Sequence, residues 1–306
     1  MSETTLDSKA LEAYIPHRGA NILADTVTMD AARTRAVART RVLPGDARGR
    51  EIFGQRGADG VAYWYEPFLA ELMALTGVPL LRDKLAAQGH VAVFSMISKI
   101  VFDRLAPLAG EVIGEAVITR DRGAFTSFST RATIDGQRIL EAEVMSGSAA
   151  LADIAGGPRA EAGELPAAAT AVDPAMFAWK PAATCFAHRV VSADPATGRL
   201  VTAYRYPPDH PFVPGHFPGA PLMMGVTQWA AVADAAWIAA RTFGHQAVVA
   251  QGTIRRPSGG EVLDVRDLEL VGEGGTPRIA GTKRIAFRDK VMPGDTVLVE
   301  VTVAPR

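Results

Sequence analysis

Apolar and polar positions alternate through two stretches near the start of the chain, NILADTVTMD and ARTRAVARTRV, and again well past its midpoint, in CFAHRVVSAD and GRLVTAYRY. A period of two, carried by Val, Thr and Tyr with Arg between them, predicts strands with one wet face. Each pair of strands leads through an irregular loop into a helical pattern. In PFLAELMALTG, Leu69, Leu72, Met73 and Thr76 fall at helical spacing, with Pro67 in the first turn and Gly77 as the stop. VTQWAAVADAAWIAARTFG predicts a longer helix, from about Val226 to Thr242 and ended by Gly244. It is apolar almost all round, which requires burial on most sides.

Strands return after each helix, and they repeat. SKIVFDRLAPLAGEVIGEAVITR in the first half parallels GTKRIAFRDKVMPGDTVLVEVTV in the second, at a spacing of about 185 residues. The first half continues into AFTSFSTRATIDGQRILEAEVMSGSAAL, where Asp135-Gly136 between two alternating runs predicts a tight hairpin. The second half reaches Arg306 with no counterpart to that hairpin after its repeat, and carries instead a Gly- and charge-rich insertion at about residues 245–276. A stretch rich in Ala, Gly, Pro and Glu from residue 153 reads as a linker. The expected organisation is an N-terminal domain over 1–152, a linker over 153–180 and a C-terminal domain over 181–306. One buried helix per half against a mostly antiparallel sheet is an α+β arrangement, and the repeat suggests two such units packed as an internal dimer.

Charge adds little to this picture: Lys+Arg 32 against Asp+Glu 33 gives no reason to expect nucleic acid as a partner. No apolar run is long enough for a membrane span, and the polar, acidic start lacks a signal-peptide pattern, so a cytoplasmic protein is expected. The single cysteine, Cys185, reads as a small buried apolar residue. His90, His188 and His245 show no metal-like spacing with carboxylates or with each other, and no metal site is expected.

The most distinctive stretch is HPFVPGHFPGAPLMMGV, residues 210–226, which runs directly into the second helix. It resembles the signature loop of the FabA/FabZ-type 3-hydroxyacyl-(acyl carrier protein) dehydratases. YIPHRGANILADTV resembles that family's opening segment, and DRGAFTSFSTRATIDGQRILEAEV its closing strands. The resemblance implies a double hotdog: two hotdog domains, each a sheet wrapped around a central helix, packed as a pseudo-dimer. It implies loss of water from a 3-hydroxyacyl thioester on an acyl carrier protein, in a fatty-acid-like or polyketide-like pathway, with no cofactor. A carrier protein is then the expected partner, and a homodimer or a complex with other synthase subunits is compatible with it.

The resemblance also implies roles. His216 matches the family's base, which removes the C2 proton, and Gly225 the backbone N–H that holds the thioester carbonyl. Phe217, Pro218, Gly219, Asp234 and Tyr65 are weaker candidates for substrate contact. The family's acid falls at Ala230 in the second half, which cannot donate a proton. In the first half the base position is taken by Arg56, which stays protonated. Aligning helix starts at Pro67 and Val226 places Glu71 at the acid position, with Glu66 as the alternative. His216 and Glu71 would then form one composite site across the two halves, and Arg56 with Ala230 a dead one. His17 matches a position outside the family's catalytic pair, and His210 reads as a loop hydrogen-bonder. Tyr63, Trp64 and Tyr65 are read either as core or as the wall of an acyl tunnel, and Arg255 and Arg256 as a surface basic pair that could meet the carrier. Two other readings stay open: a non-catalytic acyl-thioester-binding subunit and a hotdog thioesterase.

Overall fold

The computed structural model describes residues 2–156, 169–273 and 276–306. Much of the segment read as a linker, 157–168, lies outside them; on either side stand a short helix, Leu151–Gly156, and an edge strand, Thr170–Ala171. The first half contains β1 (Thr4–Asp7), β2 (Thr26–Met29), β3 (Arg35–Thr40), the central helix α1 (Glu66–Gly77), then β4 (His90–Phe102), β5 (Val112–Arg122), β6 (Phe125–Ile134) and β7 (Gln137–Ala150). The second contains β8 (Thr170–Ala171), β9 (Arg189–Asp194), β10 (Arg199–Arg205), the helix α2 (Gly225–Phe243), then β11 (Ala247–Arg255), β12 (Glu261–Glu273), β13 (Thr276–Phe287) and β14 (Thr296–Pro305).

All these strands join one antiparallel sheet in the order β1-β2-β3-β5-β6-β7-β4-β13-β12-β11-β14-β10-β9-β8. The halves meet at β4 and β13, where Ile97 pairs with Ile285 and Val101 with Gly281. α1 packs on β5 and β3, and α2 on β14, β11 and β10. Two helices, each wrapped by its own half of a shared antiparallel sheet, make a double hotdog.

The alternating patterns do what the spacing predicts. On β14, Val297, Val299, Val301 and Val303 are buried while Thr302 is exposed. The Asp135-Gly136 pair makes the turn between β6 and β7, both residues holding positive φ (51° and 73°), as a tight hairpin turn requires. α2 is ended by Gly244 in the left-handed conformation, with φ 79°. Its alanine-rich surface lets strands approach on most sides: Ala230, Ala231, Ala235 and Ala239 are all fully buried.

The second half is not short of a hairpin. Residues read as an insertion form β11 and β12, which pair with each other and fill the sheet positions that β6 and β7 fill in the first half. The hairpin has moved from after the repeated segment to directly after the helix. The repeat itself holds, with β4 and β5 corresponding to β13 and β14. Glycine and charge hid these strands: β12 carries Glu261, Asp264, Arg266, Asp267 and Glu269 among its apolar positions, with Asp264 buried among them.

Asp234, on α2, is buried and holds the segment before β9 onto the helix. Its carboxylate accepts from the Lys180 ammonium and, at 2.7 Å, from the Phe186 N–H. The Lys180 ammonium lies 4.7 Å from the Tyr65 ring centre and 4.9 Å from that of Trp179.

Candidate active site

The opening segment of the first half crosses to the second and docks on the GHFPG loop. His17 and His216 form an isolated antiparallel bridge, Arg18 N–H donates to Gly215 O at 2.8 Å, and Asn21 Nδ2 donates to Phe212 O at 2.8 Å. Glycine at 215 is what allows this contact: a Cβ there would fall 2.4 Å from Arg18 O and 2.6 Å from Asn21 Nδ2. Gly215→Ala is therefore expected to cost about 1–3 kcal/mol, read as a lowered urea midpoint at unchanged slope. The next residue but one, Phe217, holds φ at 53°. A left-handed non-glycine residue costs about 1–2 kcal/mol. Ring contacts offset that cost, with Phe217 edge-on to His216 (4.7 Å between centroids) and to His17 (5.4 Å).

Beneath this bridge lies α1. Glu71 sits on its second turn, directed inward, and one ligand-type atom from each of His17, Glu71 and His216 lies within 4.8 Å of the others. His17 Nε2 lies 3.5 Å from Glu71 Oε1. The rings of His17 and His216 are 4.9 Å apart, edge to face. All three side chains are buried. His216 Nδ1 lies 2.7 Å from Leu222 O, a contact that requires the proton on Nδ1 and leaves Nε2 as a bare acceptor.

Burial sets the charge states. Desolvation, helped by the neighbouring His17, pushes His216 down to about 3, and desolvation with the nearby Arg18 pushes His17 down to about 3. Desolvation raises the Glu71 carboxyl to about 7, against an opposing pull from His216. At neutral pH the cluster thus offers two neutral imidazoles and a carboxyl poised to give up its proton.

A cavity of about 480 Å³ opens from this cluster. Met73, Val78, Phe128 and Val144 give it apolar walls, and the exposed Arg288, Asp289 and Phe125 stand on its rim. Gly225, the first residue of α2, lines the cavity with Gln228. N–H groups of a first helical turn have no partner within the helix, and no side chain caps α2. A Cβ on Gly225 would meet Phe287 at 2.9 Å and Phe94 at 3.3 Å, so glycine here lets both rings close over the helix start.

The other residues singled out in the sequence fall elsewhere. Phe217 lines the cavity; Pro218 and Gly219 are exposed and outside the lining. Asp234 is not available as a substrate contact, because its carboxylate is spent on Lys180 and Phe186. Tyr65 packs on Phe68 and Trp179, away from the cavity, so with the fully buried Trp64 it belongs to the core. Glu66 is also buried but accepts from Gln55 Nε2 at 3.0 Å and does not reach the cavity. Arg56 turns to Gly60 O (3.5 Å), and Ala230 is fully buried. His210 contacts Ala183 O at 2.8 Å, and Arg256 is held by Asp289 and Asp295. Two cavity residues escaped the reading of the sequence, His17 and Gln228. The close resemblance of IPHRG to a family segment marked where His17 lies but not that it faces His216.

Burial also makes Glu66 a pH-dependent liability. Its carboxyl is raised from 4.5 to about 8, by desolvation first. The folded chain holds this proton over a range where the unfolded chain has lost it, so stability falls as pH rises from 4.5 towards 8. Glu66→Gln keeps the acceptor for Gln55 and should stabilise the protein at pH 8 by a few kcal/mol, but hardly at pH 4. Thermal melts at the two pH values check this.

The double hotdog thus brings a buried histidine and a buried carboxyl together where its halves meet. No family model matches the chain. The 3-hydroxyacyl-[acyl-carrier-protein] dehydratase FabZ of Staphylococcus carnosus is 30% identical over 142 residues, 46% of this chain and 94% of that protein. The FabZ of Staphylococcus aureus (strain JH9) is 28% identical over the same length. A chain of the dehydratase heterocomplex ApeI:P from Xenorhabdus doucetiae aligns over 45% of this chain and 90% of its own at 12% identity, with a TM-score of 0.37, too low to carry argument. The chain belongs to the FabZ-type 3-hydroxyacyl-[acyl-carrier-protein] dehydratase family, with one relative's length corresponding to about half of it.

Proposed function

We propose that the protein removes water from a 3-hydroxyacyl thioester carried on an acyl carrier protein, using one composite site built from both halves and no cofactor. The observation that carries this is the meeting of His216, from the second half, with Glu71, from the first, in one buried cavity. His216 Nε2 takes the C2 proton. The electrons move towards the thioester carbonyl, whose oxygen is stabilised by an N–H at the start of α2, where the helix dipole adds to the hydrogen bond. Glu71, protonated by virtue of its burial, gives its proton to the C3 hydroxyl, which leaves as water. The two groups lie close enough to serve adjacent carbons of one substrate.

The test is to incubate the purified chain with a 3-hydroxyacyl carrier protein and weigh the acyl-carrier product. Loss of one water with the thioester intact supports the dehydratase. Release of the free carrier thiol would make it a thioesterase, and binding without turnover would make it a non-catalytic subunit. Fatty-acid-like and polyketide-like substrates are both compatible with the apolar walls, and acyl chains of graded length and polarity distinguish them.

A further inference from the structure

We propose that His17, Glu71 and His216 together form a binding site for one divalent transition-metal ion, zinc or one of similar preference, and that occupancy of this site switches the elimination off. The second clause rests on the proposed function; the first does not.

Two imidazoles and one carboxylate are a known type of zinc donor set, which leaves a fourth position for water or another ligand. Among the described residues, no other group of three His, Cys, Asp or Glu side chains gathers this closely. Two donors about 2.1 Å from a tetrahedral ion stand roughly 3.4 Å apart. The His17 Nε2–Glu71 Oε1 separation is 3.5 Å, so that edge of the tetrahedron is already in place. The widest separation, up to 4.8 Å, reaches the tetrahedral spacing after about 1.4 Å of side-chain movement.

Three further observations fit a metal ion at this cluster. First, both ring nitrogens of His17 are buried without a hydrogen-bond partner, and so is Glu71 Oε2. Buried polar atoms of this kind are rare and costly, and an ion would satisfy donors on both residues. Second, the His216–Leu222 contact is the arrangement that metal-bound histidines usually show: the far nitrogen donates to a carbonyl and the near one presents its lone pair. Third, the cluster lines the cavity and so has a route in from solvent. An ion held there would take the Nε2 lone pair that removes the C2 proton and the carboxyl that supplies the other. Neither group could then act.

Chelator-stripped protein titrated with zinc chloride in a calorimeter should bind one ion per chain. Cobalt(II) in place of zinc should give the visible absorption of a tetrahedral site. His17→Ala should weaken zinc binding at least about tenfold, and His245→Ala, outside the cluster, should not change it. Absence of binding, or binding that survives His17→Ala, overturns the site. If His17→Ala does not fold, X-ray absorption of the zinc-loaded wild type decides, and fewer than two imidazoles in the coordination shell overturns the proposal. In parallel, stripped protein that turns over, is inhibited by zinc and is restored by chelator supports the switch, while turnover unaffected by a bound ion overturns it. Stripped protein that binds zinc through these residues but never dehydrates leaves the metal site standing and rejects the dehydratase reading, so the two failures are distinct.

Discussion

Glu71→Gln should lower kcat for loss of water by about 10²–10⁴-fold, the usual worth of a positioned general acid. The substitution is nearly isosteric and keeps a buried side chain at the same place on α1. On the proposed mechanism, what it removes is the proton with which hydroxide leaves as water. KM should change little, because the apolar walls of the cavity are untouched. The pairing with Glu66→Gln makes this sharp. Glu66 is as buried as Glu71 but turned towards Gln55, so its amide variant should keep turnover within about twofold of wild type, as substitutions away from the chemistry usually do. Equal losses in the two variants would mean that Glu71 is not the acid. The wild-type pH profile carries the same information. On the proposed mechanism Glu71 must be protonated to act; burial raises its carboxyl to about 7, so kcat/KM should fall about tenfold per pH unit above that value. The histidine limb, with His216 neutral above about 3, lies too far down to be seen near neutrality.

His216→Ala should be the other severe loss, again about 10²–10⁴-fold in kcat. Its diagnostic readout is proton exchange. Wild-type enzyme in heavy water should wash deuterium into C2 of the acyl chain, and the variant should not. Glu71→Gln can retain such exchange, since the base is still present. A His216→Ala protein that keeps both exchange and elimination would move the base to His17, the only other imidazole lining the cavity among the described residues.

Much of the fold was legible because it is written in local periods. Alternating valines on β14 and the Asp135-Gly136 turn state their conformation within a few residues. That His216 and Glu71 would be brought together was legible for a different reason. Ala230 lacks an acid and Arg56 cannot be a base, so each half announced what it needs from the other. What escaped was set by long-range geometry. β11 and β12 look like loop because glycines and charges interrupt their apolar run, and only the sheet order shows which positions they fill. His17 looks incidental because its neighbours in space are 54 and 199 residues away, at Glu71 and His216. Asp234 shares a helix face with the acid position, but Lys180 reaches it from the segment before β9, which nothing local predicts.

The moved hairpin has a consequence for the order in which the molecule can be completed. In the first half, β5, β6 and β7 are laid down as neighbours, β6 pairing with β5 and β7 with β6. In the second half, β14 is the last described strand along the chain but lies between β10 and β11. A nascent chain that has made everything through β13 still carries two open strand edges facing one another across an unfilled gap. Exposed edges of this kind invite pairing with other chains. The finished first half, through β4 against β13, and α2 are surfaces on which the newer strands can already settle. Synthesis therefore leaves the sheet around α2, in the half that bears the GHFPG loop, to be closed last among the described strands, by β14.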